Sequence, residues 1–163
     1  MLNHFRKGIR TFCSFEYKIN SMGYKLPSPP KSKGSYSSIV VNDKIGYLSG
    51  HLPIKNNGDL ITGTICKYLN TNKGKDAALI CGLNLLSTIK HNVGLENVDS
   101  IIKIVGFVNS TEDFVSHPYI LDGCSDLFLE VFGDKGIHAR SAVGVKSLPF
   151  DVPIEIEAII KLK

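Results

Sequence analysis

The sequence predicts one α+β domain in which two long helices pack on the same face of a mixed sheet. Two segments, residues 75–93 and 119–132, repeat apolar residues at helical spacing. Two others, residues 101–108 and 152–162, are rich in β-branched residues and have the length of strands. With three shorter strands, the order is ββ, α, β, α, ββ, which is typical of one sheet covered by helices. At 163 residues and 43% hydrophobic composition, the chain can build one sizeable core.

The shorter strands are predicted from their composition and from the turn residues beside them. Residues 37–41 and 44–48 are two strands joined at Asn42-Asp43, because Asn and Asp tolerate the positive φ angles of a hairpin turn. Residues 141–145 form another strand. The final strand alternates between two faces. One face holds Ile154, Ile156, Ala158, Ile160 and Leu162, and the other holds Glu155, Glu157, Ile159 and Lys161.

Each predicted helix ends at a glycine, the residue that most easily takes the left-handed conformation of a helix C-terminus. The helices over residues 15–22, 75–93 and 119–132 end at Gly23, Gly94 and Gly133. Cys81 and Cys124 lie within the two long helical patterns, where a cysteine acts as a small hydrophobe. No pair of the four cysteines has C-x-x-C spacing, which predicts free thiols in a reducing compartment.

The formal charge of +4 is concentrated at the start of the chain. Residues 1–35 have a net charge of +6, and the remaining residues have a net charge of −2. A mildly acidic body argues against a nucleic-acid surface, which should be basic where it binds. The acid-poor, Arg-bearing start predicts either an organellar transit peptide or a disordered extension. We therefore expect a cytoplasmic protein, or one in the mitochondrion or another organelle, and no apolar run has the length of a membrane span.

Arg140 and Glu155 are the first candidates for chemistry. Arg140 lies between a glycine-rich turn and a strand, and its guanidinium can bind a carboxylate or phosphate through two parallel hydrogen bonds. Glu155 can order a water molecule or exchange a proton. The alternative for both residues is an ordinary solvated surface charge.

His51 and His138 are candidate general bases, because histidine titrates near neutral pH. Two histidines with an arginine would also suit metal-free RNA cleavage, but no basic strand with interleaved aromatics accompanies them. The histidines show no paired metal-ligand spacing, and the sequence lacks a phosphate-binding glycine loop and a G-x-S-x-G elbow. The residue spacing therefore predicts no metal site.

Several motifs together resemble one known family. Ala139–Val143, Leu148-Pro149 and Val152–Ile159 are similar to the signature of the RidA/YjgF family, which is also called endoribonuclease L-PSP. Upstream, Gly34–Tyr36 resembles the family's Gly-Pro-Tyr segment, and Tyr47–Pro53 resembles its Ser-Gly-Gln-x-Pro segment. The resemblance covers residues 25–163 and leaves residues 1–24 as an extension with a short helix. The spacing over residues 121–133 resembles the longer branch of the family.

The resemblance implies a chorismate-mutase-like α+β fold, with two long helices on one face of a mixed six-stranded sheet. It also implies a homotrimer with ligand clefts between subunits. The implied activity is metabolite-damage control, namely deamination of reactive enamines and imines released by pyridoxal-phosphate enzymes. Intermediates such as 2-aminoacrylate would be hydrolysed to 2-keto acids and ammonia, without metal or cofactor.

The resemblance also implies a role for individual residues. Arg140 would bind the substrate carboxylate, and Glu155 would position the attacking water and help to transfer protons. Backbone groups of Gly50 and Ala142 would bind the substrate, and Tyr36 would form part of the pocket wall. The complete implied substrate-binding set is Tyr36, Ser49, Gly50, Phe107 and Ala142.

Four residues differ from patterns of the family and alter the pocket wall. His51 stands where the family's Ser-Gly-Gln segment has Gln, and the short branch usually has Pro at His138, Cys or Thr at Ala142 and an acidic residue at Gly144. Arg140 and Glu155 are unchanged. Two alternatives to a deaminase therefore stay open: a non-catalytic trimer that binds small carboxylates such as 2-keto acids, and an endoribonuclease, as the family label suggests.

Overall fold

The computed structural model describes residues 14–30 and 34–163. Residues 1–13, where the sequence predicts a transit peptide or extension, and residues 31–33 of a predicted loop lie outside the described residues. The helices are α1 (Phe15–Ser21), α2 (Thr71–Asn92) and α3 (His117–Phe132). The strands are β1 (Ile39–Asn42), β2 (Ile45–His51), β3 (Val98–Asn109), β4 (Ala139–Val145) and β5 (Ile154–Leu162). Short 3-10 turns cover Leu95–Asn97, Gly133–Gly136 and Pro149–Asp151.

The sheet has the order β1-β2-β5-β3-β4 and is mixed. β1, β2, β5 and β3 pair antiparallel in turn, and β3 pairs parallel with β4. The parallel pair requires a crossover, which α3 provides between β3 and β4. The predicted α+β class and its two long helices are confirmed.

The prediction of six strands is wrong for the described residues, which form a sheet of five. Between β2 and α2 the chain makes only isolated bridges, such as the one between Ile54 and Leu60. Pro53 cannot donate to a ladder, and both Gly58 and Gly63 adopt positive φ angles that interrupt an extended chain. This segment therefore passes beside the sheet as a loop.

The β1–β2 turn lies one residue later than predicted. Asn42 pairs with Ile45, so the two loop residues are Asp43 and Lys44, with φ angles of 47° and 67°. Two successive positive φ angles define the tight hairpin turn that suits the twist of antiparallel strands. The hairpin itself is confirmed.

The two long helices pack against each other and against the same face of the sheet. α2 begins at Thr71, four residues before the predicted start of the helix. The side chain of the N-cap residue Asn70 accepts a hydrogen bond from the backbone N–H of Lys73. Both predicted core cysteines are buried in these helices, and burial raises the pKa of each thiol. Phe128 of α3 is fully buried in the shared core. None of the helices in the described ranges is long and apolar enough to cross a membrane.

α1 is anchored to α3 and to the turn that precedes β3. Ile19 is fully buried, and the ring of Phe15 lies 4.9 Å from that of Phe132. The backbone N–H of Phe15 donates to Glu96. Residues 14–21 therefore belong to the packed structure.

Gly123 lies directly against the backbone of α2. A β-carbon at this position would overlap with the carbonyl oxygen of Lys75 and lie 3.0 Å from the backbone nitrogen of Leu79. The neighbouring atoms belong to a helix backbone and cannot rotate away. The contact between the helices therefore requires glycine at this position.

We predict that Gly123→Ala destabilises the protein, although alanine is the better helix former by about 1 kcal/mol. The overlap with the α2 backbone should outweigh this gain and leave a net loss of about 1–3 kcal/mol in the free energy of unfolding. Urea denaturation followed by circular dichroism measures the change. Glu130→Ala, on the exposed side of the same helix, is the control. A variant as stable as the wild type would show that the helices do not depend on this contact.

Candidate active site

A cavity of about 140 Å³ opens at the end of the sheet where β5 begins. It is smaller than the roughly 300–1,000 Å³ of pockets that take drug-sized ligands, and it suits a small metabolite. Four residues predicted for the site line it together: Tyr36, Ser49, Gly50 and Glu155. Apolar walls complete it, formed by Pro30, Leu52, Ile54, Leu60, Pro149 and Phe150.

Glu155 lies directly against the backbone of Gly50. The register between β2 and β5 shifts between Leu48 and His51, so Gly50 sits on an irregular stretch of the strand. A β-carbon at Gly50 would overlap with the carboxylate of Glu155. Only glycine therefore allows this carboxylate to occupy its place, and the sequence pair Ser49-Gly50 is explained by that contact.

The surroundings of Glu155 favour its neutral form. Burial raises the pKa of its carboxyl group, and the nearby negative charge of Glu157 raises it further. Within residues 14–30 and 34–163, no hydrogen-bond donor or cation compensates this carboxylate. A half-buried carboxyl with a raised pKa can hold a water molecule and exchange a proton with it.

His51 is not available as the general base that the sequence suggests. It is buried, and both ring nitrogens are engaged. Its Nδ1 lies 2.7 Å from the carbonyl oxygen of Ser49, and its Nε2 lies 2.7 Å from Oγ1 of Thr88. A carbonyl only accepts, so Nδ1 carries the proton and Nε2 accepts from the threonine hydroxyl. Burial lowers the pKa of His51, although the Ser49 carbonyl partly opposes this effect. His51 therefore fixes the irregular stretch that contains Gly50.

Buried polar residues of α2 hold the loops around the cavity. The side-chain amide of Asn84 donates to the carbonyl oxygens of Leu52 and Ile54 at 3.3 and 2.9 Å. Ser87 donates to the carbonyl oxygen of Pro27 at 2.6 Å. Polar residues in a helical pattern usually face solvent, so their support of these loops could not be predicted from the sequence.

The turn before β5 presents Phe150 to the cavity. Phe150 and Asp151 have φ angles of 57° and 55°, which are uncommon for residues other than glycine. Asn109 stabilises this conformation by donating to the Asp151 carboxylate at 3.1 Å and to the Val152 carbonyl oxygen at 3.2 Å. The backbone N–H of Gly63 donates to the carbonyl oxygen of Asp151. The sequence did not predict Phe150 as a site residue.

Arg140 lies in a different place, at the edge strand β4, and faces α3. Its Nη1 donates to Oδ1 of Asp122 at 2.6 Å and to Oγ of Ser125 at 3.1 Å. His138 also contacts Ser125, with its Nε2 3.1 Å from the serine Oγ. Its Nδ1 lies 2.6 Å from the carbonyl oxygen of Gly136. These contacts form one hydrogen-bonded network on the helix side of the sheet.

Arg140 and Glu155 do not meet within one protomer. Glu155 pairs in register with Phe107, which pairs with Val143, three residues beyond Arg140. Their Cα atoms are two strand spacings of about 4.8 Å apart across the sheet and three residues of about 3.3 Å apart along it. The distance between them is therefore about 14 Å. Alternation also places the side chains on opposite faces, and Ala142 packs against the core on the face of Arg140. The seven predicted residues therefore divide into a Glu155 group, with Phe107 beside it, and an Arg140 group.

No three His, Cys, Asp or Glu side chains within the described ranges cluster as metal ligands would. The cavity offers a substrate the partly desolvated carboxyl of Glu155, the backbone of Gly50 and apolar walls. A mixed sheet under two long helices, with this carboxyl in a cavity at the end of the sheet, defines an α+β protein with a candidate small-molecule site.

The chain belongs to the endoribonuclease L-PSP family, also called RidA/YjgF, whose model matches residues 27–162. It is similar to Protein TCP17 of Trypanosoma cruzi, with 36% identity over 146 residues, 88% of this chain and 91% of that protein. It is 27% identical over 138 residues to a 2-iminobutanoate/2-iminopropanoate deaminase of Dermatophagoides farinae, covering 84% and 93% of the two chains. The solved structure of Atu1372 from Agrobacterium tumefaciens, a protein of unknown function, superposes with a TM-score of 0.84 at 32% identity, covering 91% and 94%.

We predict that Glu155→Gln raises the melting temperature at neutral pH. The folded-state pKa of Glu155 is raised above its unfolded value, so the folded state loses stability as the pH rises through that pKa. A neutral amide avoids this loss. Below the unfolded pKa both forms are neutral, and the gain should disappear. Differential scanning calorimetry at pH 7 and pH 4 measures it, with Glu130→Gln as the control for the loss of one charge. A gain of equal size at both pH values would contradict the assignment.

Proposed function

We propose that the protein is an enamine/imine deaminase that hydrolyses 2-aminoacrylate-type intermediates to 2-keto acids and ammonia. The observation that carries this proposal is the half-buried carboxyl of Glu155 against the backbone of Gly50, in a cavity of metabolite size. The similarity to a relative named as an iminobutanoate/iminopropanoate deaminase supports it. Residues 25–163 form the proposed catalytic domain.

In the proposed reaction the neutral carboxyl of Glu155 first donates its proton to C3 of the enamine, which becomes the iminium and leaves Glu155 as a carboxylate. Glu155 then accepts a proton from water as the water oxygen attacks C2 of the iminium, and a neutral carbinolamine forms. Glu155 donates this proton to the amine nitrogen. The C2–N bond breaks, ammonia leaves, and Glu155 takes the hydroxyl proton as the C2=O bond of the keto acid forms, which restores its starting state. Imines hydrolyse readily, so orientation of the substrate and one acid/base group supply the catalysis.

We further propose that the site is completed between subunits of a homotrimer. β1 and β4 are opposite edges of the sheet, and a head-to-tail ring joins opposite edges of neighbouring copies. This arrangement brings Arg140 of one protomer to the Glu155 cavity of the next. The face of the sheet opposite the helices carries apolar side chains that are partly exposed, such as Tyr47 at 48% and Val143 at 44%. An apolar sheet face of this kind favours association.

RNA cleavage, which the family label suggests, has less support. Residues 36–163 carry a net charge of −2, whereas an RNA-binding surface is expected to be basic. The cavity is also small for a nucleotide with its neighbours. A non-catalytic carboxylate-binding protein would use the same Arg140, so the assay below separates it from the deaminase.

We predict that the protein accelerates pyruvate release from 2-aminoacrylate generated by a serine dehydratase. Arg140→Ala should lose the carboxylate anchor and Glu155→Gln the proton transfer, and each should lower kcat/KM by about 100-fold. Lactate dehydrogenase coupled to NADH absorbance follows the product. Glu130→Ala is the control. Unchanged release with the protein present, together with Arg140-dependent pyruvate binding, would instead support a non-catalytic binding protein.

We predict that the two inactive variants, Arg140→Ala and Glu155→Gln, restore activity when they are co-expressed. In a cyclic trimer with sites shared between neighbours, every mixed trimer has one intact site, so equal expression should give about a quarter of wild-type activity. Light scattering confirms the mass of the mixed particles. Co-expression of Arg140→Ala with the double variant, which supplies no intact partner, is the control and should stay inactive. Mixed trimers without activity would place each site within one protomer.

A further inference from the structure

We infer that Asp122, Ser125 and His138 are positioning residues for Arg140: they hold one corner of its guanidinium and leave its carboxylate-binding edge free. The inference rests on the proposed function, because it takes Arg140 as the anchor for a substrate carboxylate. It adds Asp122 and Ser125 of α3, together with His138, which precedes β4.

The contacts of Arg140 use only one of its three nitrogens. Both hydrogens of Nη1 are engaged, one by Asp122 at 2.6 Å and one by Ser125 at 3.1 Å. Among the described residues, no acceptor engages Nε–H or Nη2–H. These two N–H groups form the side of the guanidinium that matches both oxygens of a carboxylate. The free edge therefore suits a monocarboxylate bound side-on.

The hydrogen bonds from Arg140 to Gly136 all run in the same donor-to-acceptor order. The carbonyl oxygen of Gly136 only accepts, so Nδ1 of His138 carries a proton and donates to it. In the neutral imidazole Nε2 is then an acceptor, and it takes the only hydrogen of the Ser125 hydroxyl. The lone pairs of Ser125 are left for Arg140. Each group donates to the next, from Arg140 through Ser125 and His138 to Gly136, and such chains strengthen one another.

The ion pair with Asp122 is strong enough to restrict the arginine. Its 2.6 Å contact is a charge-assisted hydrogen bond, and the side chains of Arg140 and Asp122 are only 31% and 34% exposed. An arginine held in this way loses less conformational entropy when a ligand binds. If Asp122 instead competed with the ligand for the guanidinium, its removal would tighten binding. Positioning and competition thus predict effects of opposite sign.

The experiment measures pyruvate binding by calorimetry and the kinetics of the deaminase assay. We expect Asp122→Ala to weaken pyruvate binding and to raise KM by about 10-fold, because the arginine loses the charge-assisted hydrogen bond that orients it. The kcat should change little, because Glu155 is untouched. Asp122→Asn keeps an oxygen acceptor and should recover most of the affinity. Ser125→Ala should show a smaller loss, and it serves as the second test if Asp122→Ala does not fold. Glu130→Ala is the control on α3.

The outcomes separate this inference from the proposed function. If Arg140→Ala leaves pyruvate binding unchanged, Arg140 is not the anchor and the proposed function loses its substrate contact. If Arg140→Ala abolishes binding while Asp122→Ala leaves it unchanged or tightens it, the positioning role alone is overturned. A fall in kcat at constant KM for Asp122→Ala would also overturn it, because that pattern indicates an effect on the chemical step.

Discussion

The contact between the Glu155 carboxylate and the Gly50 backbone is the constraint on which the site depends. It requires a glycine, because any side chain at that position would occupy the space of the carboxylate. It also requires a shift of register in β2, which the buried His51 stabilises through the Ser49 carbonyl oxygen and Thr88. A single close approach therefore links the end of one strand, a histidine in the core and a serine-glycine pair in the sequence.

The same constraint explains why α2 has buried polar residues. The loops that line the cavity do not pair with the sheet, so their backbone carbonyl groups need hydrogen-bond donors from elsewhere. Asn84 and Ser87 supply these donors from the helix, and Thr88 serves His51 in the same way. α2 thus contributes both apolar packing and hydrogen bonds. Its buried face is a mixture of the two, which weakens the amphipathic pattern that sequence reasoning relies on.

The fold class, the long helices and the strands could be predicted from local periodicity. The resemblance to the family implied that Gly50 and Glu155 belong to one candidate site, and both residues line the same cavity. The face on which Arg140 lies did not follow, because it depends on the parallel register of β4 with β3, set by the crossover through α3. Its partner Asp122 is distant in the sequence, and the contact between them depends on how α3 packs against β4. The turn at Asp43 and Lys44 was misplaced by one residue, since lysine gives no signal for a positive φ angle.

The separation of Arg140 from Glu155 has a consequence for how the proposed enzyme would be organised. An arginine in direct contact with Glu155 would pair with it, lower the pKa of its carboxyl group and remove the property that suits proton exchange. Keeping the two groups on opposite faces of the sheet leaves Glu155 uncompensated and lets Asp122 and Ser125 orient the arginine. In the proposed trimer the two halves meet only across an interface, where the negative substrate lies between them. The ligand, rather than Glu155, then satisfies the free edge of the arginine.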